Sequence, residues 1–183
     1  MPAASPRILV IRRRYLGDIV LLGSVFRNLR LHWPAAHITA LVEAPYAGVL
    51  PLNPDVNAAL VFPRHLGQWP SFVRTLRRAR FTHVIDSDNS DRTNLVTQLT
   101  GAPVRITYRR EANPVRHRRW YTGFASVTSE FYWSHHISET YLALLAPLAV
   151  PVRTREIRLI PTADDRAVRE TRCLSQLLRA QTG

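Results

Sequence analysis

The stretch Arg7-Ile8-Leu9-Val10-Ile11, followed by Arg12-Arg13-Arg14-Tyr15-Leu16-Gly17-Asp18, decides the fold. Residues 8–11 are apolar without alternation, and three of the four are β-branched. Such a run reads as a strand buried on both faces, which is the signature of a parallel sheet covered by helices on each side. Gly17-Asp18 ends the strand segment. Ile19, Val20, Leu22, Val25, Phe26 and Leu29 then recur at helical spacing up to Trp33-Pro34.

Outward from this unit the same rhythm repeats. His37 to Val42 reads as a second strand, and Ala44-Pro45-Tyr46 opens a short helix ended near Pro51. Asn53-Pro54-Asp55 is a turn, and Ala58 to Phe62 a third strand. Trp69 to Arg80 carries the apolar stripe Phe72, Val73, Leu76 and Ala79, with arginines on its other face. Thr82 to Asp86 is a fourth strand, Asp91 to Thr100 a helix stopped by Gly101, and Pro103 to Tyr108 a fifth strand. This alternation predicts right-handed βαβ units and a Rossmann-like, doubly wound α/β domain of strand order 3-2-1-4-5, with strand 7–11 central.

Residues 109–134 break the rhythm. Arg109, Arg110, Arg116, Arg118 and Arg119 stand there among Trp120, Tyr121, Phe124, Phe131, Tyr132 and Trp133. They read as one long basic and aromatic connection, and connections of that length carry function more often than not. His136 to Leu148 is an amphipathic helix, Arg158-Leu159-Ile160 a short strand, and Ala163 to Arg179 a last helix with Cys173 on its apolar face. The organisation expected is one domain over residues 1–150, then a linker and helix over 151–183.

Formal net charge is +12, from 25 basic residues, all of them Arg, against 13 acidic ones. A GC-rich genome accounts for the missing Lys but not for the excess of cations, which points to an anionic partner. The single cysteine excludes an intramolecular disulfide and suits a reducing compartment. Residues 7–11 are too short an apolar run for a signal peptide, and no stretch approaches the about 20 residues that cross a bilayer. A cytoplasmic protein is expected.

Ligands of open parallel sheets bind beyond the carboxyl ends of the strands. In a 3-2-1-4-5 order the segments after strands one and four flank the switch point, so Arg12 to Asp18 and Asp86 to Arg92 would face one crevice. Asp18 suits a general base; its structural alternative is a helix N-cap, with Gly17 making the turn. Arg12, Arg13 and Arg14 suit an anionic acceptor, or a solvated rim with one Arg paired to Asp18. The carboxylates from Asp86 to Asp91 lack the Gly and distal Glu of a calcium loop, and Asp91 reads as the next helix's N-cap. With Gly17 the only glycine after strand one, neither a dinucleotide fingerprint nor a phosphate-binding P-loop is present. His135-His136 reads as helix capping and packing.

Residues 8–21, from Ile8-Leu9-Val10-Ile11-Arg12 through Gly17-Asp18-Ile19-Val20-Leu21, resemble the opening of the ADP-heptose:lipopolysaccharide heptosyltransferases, glycosyltransferase family 9. Asn53-Pro54-Asp55-Val56 is similar to that family's Asn-Pro-Asp-Val turn. Thr82-His83-Val84-Ile85-Asp86 resembles its fourth strand, and Leu99-Thr100-Gly101-Ala102-Pro103-Val104-Arg105-Ile106 its Ser-Gly-Ala-Pro segment. His136-Ile137-Ser138-Glu139-Thr140-Tyr141-Leu142 resembles its His-x-x-(Glu/Asp)-x-Tyr helix. Each motif is weak alone, but five in order are specific.

The resemblance implies the N-terminal half of a GT-B architecture, in which this half binds acceptor and a second domain binds the nucleotide-heptose. It implies inverting transfer to the lipopolysaccharide inner core, with ADP-heptose as donor, no cofactor, no required metal and Asp18 as catalytic base. Arg12, Arg13, Arg14, Gly17, Ser87, Asn89, Arg92, Arg109 and Arg116 are then the expected acceptor contacts. An anionic inner-membrane surface is the expected partner of the basic segment, giving a cytoplasmic protein peripheral to that membrane. The sequence departs from the pattern at Leu21-Leu22-Gly23-Ser24, where the family has Thr-Thr-Pro, and at Ser87-Asp88-Asn89, where it has Gln-Gly. The family's His-Pro-Gly segment does not occur, so the 183 residues alone are expected to lack turnover. A different class of function, a nucleic-acid-binding protein using residues 105–121, fits the charge but not the strand–helix rhythm, and no nucleic-acid partner is expected.

Overall fold

The computed structural model describes residues 5–110, 115 and 117–161. Six strands form one sheet: β1 (Arg7–Ile11), β2 (His37–Val42), β3 (Ala58–Val61), β4 (His83–Asp86), β5 (Val104–Arg110) and β6 (Gly123–Val127). Their order is β3-β2-β1-β4-β5-β6, and every neighbouring pair is parallel. β1 is central as its composition requires, and all of Ile8 to Ile11 is buried.

The two faces of β1 feed two cores. Ile8 and Val10 join Ile19, Leu22, Val25, Phe26 and Leu29 on one side. These come from α1 (Leu16–Leu21), α2 (Gly23–His32) and Leu22 between them. Leu9 and Ile11 join Phe72, Leu76 and Val96 on the other, from α3 (Trp69–Arg78) and α4 (Asp91–Thr100). Two-sided cover is what a strand without polar positions needs.

Four expectations need correction. The connection 109–134 contains an element the sequence reading absorbed into a loop: β6 extends the sheet beyond β5, and α5 (Ser129–Ser134) follows it. The helix expected over 136–148 is α6 (Ile137–Leu142) continued by a tight 3₁₀ stretch, Ala143–Leu148, that contains Pro147; proline has no N–H for an α-helical bond. The helix after Gly17-Asp18 starts before them, at Leu16, and is interrupted at Leu22. Residues 158–160 form no strand.

Residues 151–161 instead run extended along α2, held by the fully buried Asn28. Its Nδ2 donates to the carbonyls of Ser24 and Thr154, both at 2.8 Å, and its Oδ1 accepts from the N–H of Arg153 at 2.6 Å. One amide thus supplies the partners that a strand neighbour would otherwise give. A Cβ at Gly23 would come within 2.8 Å of Ile157 Cγ2, so the departure from the family pattern at this position coincides with the close approach of the extended segment. The expected helix 163–179, Cys173 and Arg116 lie outside the described residues. Among the described residues no helix is long and apolar enough to cross a membrane.

Candidate active site

The loops after β1 and β4 meet. Ile11 pairs with Asp86 in the sheet, and the carbonyl of Ile11 accepts from both the N–H (3.0 Å) and the hydroxyl (2.8 Å) of Ser87. Ser87 is fully buried. The two loops therefore adjoin, as expected, and the Ser87 hydroxyl is spent in joining them.

Asp18 sits in the first turn of α1, three residues past its cap. The N-cap reading is corrected: Tyr15 holds the cap position and no side chain caps this end. Tyr15, not Gly17, also takes the unusual backbone conformation, with φ 71°. A non-glycine residue there costs of order 1 kcal/mol or more, and such strain collects at functional sites. The Asp18 carboxylate turns back to accept from Arg12 Nη2, with 20% of the side chain still exposed. A Cβ at Gly17 would meet nothing within 4 Å, so the space in front of this turn is open. Tyr15 and Leu16 flank it as exposed apolar surface.

The three consecutive arginines do three different things. Arg12 points inward, where Nη1 donates to the Ser87 carbonyl at 2.9 Å and lies 3.9 Å from Asp88 Oδ1. Its Cζ is 5.5 Å from the centroid of the Tyr141 ring. Burial disfavours the Arg12 charge, but the surrounding Tyr141 and Asp18 more than offset it and its pKa is raised. Arg13 is buried, pairs with Glu43 at 2.8 Å and donates to Ser90 Oγ at 3.3 Å. Arg14 is exposed and makes no ion pair with any described residue.

The loop after β4 is organised by Asp86, which is fully buried. Its Oδ1 accepts from the N–H groups of Asp88 and Asn89, both at 3.0 Å, and Asn89 takes a positive φ of 51°. Tyr121 Oη lies 2.6 Å from Asp86 Oδ2 and 2.5 Å from Asn94 Oδ1. Burial pushes the Asp86 carboxyl up to about 6, against the pull of the Tyr121 and backbone donors. Asn89 Oδ1 is buried without a hydrogen-bond partner among the described residues. α4 is capped by Ser90 rather than Asp91, in a capping box with Thr93. His136 caps α6, as expected, by accepting from Ser138 N–H at 3.3 Å.

Beyond Arg13, residues Glu43, Ala44, Pro45, Phe62, Pro63, Arg64 and Arg92 enclose a cavity of about 250 Å³. Arg64 and Arg92 are exposed and unpaired among the described residues. Arg109 is exposed at the end of β5, and its neighbour Arg110 stacks on the Tyr132 ring at 3.5 Å. No group of three His, Cys, Asp or Glu side chains among the described residues is arranged to hold a metal ion. The sequence reading missed Glu43 and Arg64, since neither belongs to a motif; their position after β2 and β3 was the available signal. Tyr141 stood inside a quoted motif, but its place against Arg12 depends on how α6 docks.

No family model matches the chain. Among curated proteins, lipopolysaccharide heptosyltransferase 2 of Escherichia coli is 29% identical over 110 residues, covering 57% of this chain and 32% of that protein. The Salmonella typhimurium protein of the same description is 27% identical over the same shares. Among solved structures, a glycosyltransferase family 9 protein of Veillonella parvula superposes with TM-score 0.75 at 20% identity, over 100% of this chain and 52% of that one. Heptosyltransferase II of E. coli gives 0.71 at 22% identity, over 88% and 49%. An E. coli heptosyltransferase solved with ADP gives 0.67 at 17%, over 82% and 51%. The chain thus spans about half the length of these solved structures, and its match covers about a third of the curated relatives. The resemblance to lipopolysaccharide heptosyltransferases read from the sequence is found again by sequence similarity, and the α/β fold is one that family 9 structures share.

Proposed function

We propose that this chain is the acceptor-binding, N-terminal half of a GT-B glycosyltransferase that moves heptose from ADP-heptose to a sugar of the lipopolysaccharide inner core. Residues 1–150 form the acceptor domain and 151–183 lead toward a donor domain, which holds the nucleotide-heptose. In this reading the transfer is a single displacement with inversion. The acceptor hydroxyl oxygen bonds to the anomeric carbon, the nucleotide leaves with the electron pair of its bond, and Asp18 takes the hydroxyl proton. Neither a cofactor nor a metal is required. A placed carboxylate of this kind contributes about 10²–10⁴ in rate.

The observation that carries the reading is Asp18 itself. It is a part-exposed carboxylate at the carboxyl end of the central strand, oriented by a buried guanidinium, with open space before it at Gly17. Arg14, Gly17, Asn89, Arg92 and Arg109 are the acceptor contacts in this reading, joined by Arg64; Arg116 belongs to the same proposal. The acid groups of inner-core sugars and lipid phosphates would meet those cations. The basic and aromatic surface around Arg109, Arg110 and Trp133 would rest against the anionic inner-membrane surface, at the cytoplasmic side.

Asp18→Asn in the enzyme that carries both halves tests the base. Asn keeps the shape but cannot accept the proton. The expected result is turnover reduced at least about a hundredfold at unchanged melting temperature and unchanged acceptor binding. Near-normal turnover would sink the base role. Failure of the 183-residue chain to bind an inner-core glycolipid would sink the acceptor role. The chain alone is expected to show no turnover, because donor and acceptor are not held together.

A further inference from the structure

The geometry points to Arg12 as a positioning residue for Asp18 and not a contact of the acceptor; this rests on the reading of Asp18 as the base. Both of its terminal nitrogens are already committed, while Nε is buried without a hydrogen-bond partner among the described residues. Nη2 holds Asp18, and Nη1 holds the Ser87 carbonyl at 2.9 Å. Tyr141 of α6 lies against it, 5.5 Å from ring centroid to Cζ, and only 13% of the Arg12 side chain is exposed. Four segments meet on this one group: the loop after β1, the first turn of α1, the loop after β4, and α6.

A guanidinium suits that task for a geometric reason. Its N–H groups lie in one plane in a fixed fork, so two acceptors from different segments are held at a set angle to each other. An ammonium is a point charge and fixes no such angle. By anchoring one hand on the Ser87 carbonyl, which is itself pinned through Ser87 to Ile11, Arg12 sets where its other hand places the Asp18 carboxylate. A general base must lie within hydrogen-bond reach of the proton it removes, and small misplacements of reacting groups cost about a hundredfold in rate.

The neighbouring arginines separate the roles. Arg13 is likewise committed, to Glu43 and Ser90. Arg14 is exposed and has no ion pair among the described residues, so of the three cations it is the one placed to meet an anionic acceptor. Three residues that look equivalent in sequence therefore divide into a strut for the base, a strut for the loop after β2, and a surface cation.

The test uses the 183-residue chain first. In ¹⁵N-resolved proton spectra of the arginine side chains, the Arg12 Nη protons are expected as separate lines, because bonds at both hands arrest rotation. Asp18→Ala is expected to merge or broaden them. Affinity for an inner-core glycolipid is expected to fall about tenfold in Arg14→Ala, one charge-assisted hydrogen bond, and to stay within about twofold of wild type in Arg12→Lys. In the enzyme with both halves, Arg12→Lys is expected to lower kcat about a hundredfold with acceptor KM unchanged. The inference is overturned if Arg12→Lys weakens acceptor binding as much as Arg14→Ala does, or if the Arg12 lines are the same in Asp18→Ala. Because Asp18→Ala leaves Arg12 in place, the spectral result stands even if Arg12→Lys does not fold. Near-normal turnover of Asp18→Asn would remove the base reading while leaving the spectral and binding results intact, so the two failures are distinct.

Discussion

Asp18, in the first turn of α1, and Asp86, at the carboxyl end of β4, stand at the same end of the sheet, yet the protein treats them in opposite ways. Asp18 keeps 20% of its side chain in contact with solvent and is paired with a cation. Asp86 is fully buried and has no ion pair among the described residues; its partners are two backbone N–H groups and the Tyr121 hydroxyl. Burial without a countercharge raises a carboxyl's pKa, as at Asp86. The contrast separates a carboxylate kept available at the surface from one used as an internal fastener. Asp86 fixes the shape of the loop that carries Ser87 and Asn89, while Asp18 is left to face the crevice.

Exchanging each acid for its amide should break this contrast most visibly. Asp18→Asn is expected to cost turnover and little stability, whereas Asp86→Asn is expected to change how stability depends on pH. The folded-state pKa of Asp86 is raised from 3.8 to about 6. Its contribution to stability is therefore fully present below about pH 3.8 and is lost as pH rises through about 6. Each pH unit of that interval is worth about 1.4 kcal/mol, so the loss approaches about 3 kcal/mol by pH 7. Asn cannot titrate, and its amide can donate where the protonated acid does. Relative to wild type, Asp86→Asn should then gain up to about 3 kcal/mol between pH 4 and pH 7 in urea unfolding. A constant difference across that range would show that Asp86 is ionised in the fold throughout.

Tyr121→Phe sharpens the same point with a smaller effect. A phenol has one proton, yet Tyr121 Oη sits against oxygens of both Asp86 and Asn94. With Asp86 neutral, the chain runs from the Asp86 hydroxyl to Tyr121 and from Tyr121 to the Asn94 carbonyl, and every oxygen is satisfied. Removing the phenol oxygen leaves two buried polar groups short of a partner, at a cost of about 1–3 kcal/mol. It also removes a donor to the carboxylate, so the pH at which stability falls should move above about 6. Melting curves from pH 5 to 8 for the variant and wild type would read both effects.

Much of this was legible in sequence, and the limits have physical causes. β1 was readable because a strand buried on both faces has no polar positions to obscure it, and its central place followed. β6 was not: Gly123-Phe124-Ala125-Ser126-Val127 is a short edge strand with only Ala125 and Val127 buried, set between arginines and aromatics that dominate the local pattern. Leu159-Ile160 erred the other way. It looks like a strand, but it runs along α2 and Leu52, where Ile160 N–H donates to the Leu52 carbonyl at 2.7 Å, and no sheet edge is offered to it. At the site, the crevice between the loops after β1 and β4 was predictable from strand order. Which arginine faces inward was not, because the partners that decide it, Glu43 and Ser87, are 30 and 75 residues away from Arg13 and Arg12 in the chain and converge only once the strands are registered.

The smallest expected effect concerns Gly17, and it tests whether the open side of Asp18 is open for a reason. Gly17 lies inside α1, takes no positive φ, and a Cβ added there would touch nothing within 4 Å. Neither turn geometry nor packing asks for glycine. Helix propensity argues against it, since alanine in a helix interior is favoured by about 0.8–1.0 kcal/mol. Gly17→Ala should therefore stabilise the chain by up to that amount, read as a higher urea midpoint with unchanged slope. If the acceptor approaches Asp18 over this turn, the added methyl group stands in its path. Glycolipid affinity should then fall while stability rises, which is the opposite of what a folding defect would produce. A variant that gains stability and binds the glycolipid as wild type does would place the acceptor elsewhere on the crevice, toward Arg64 and Arg92, and leave the glycine at position 17 without a role in binding.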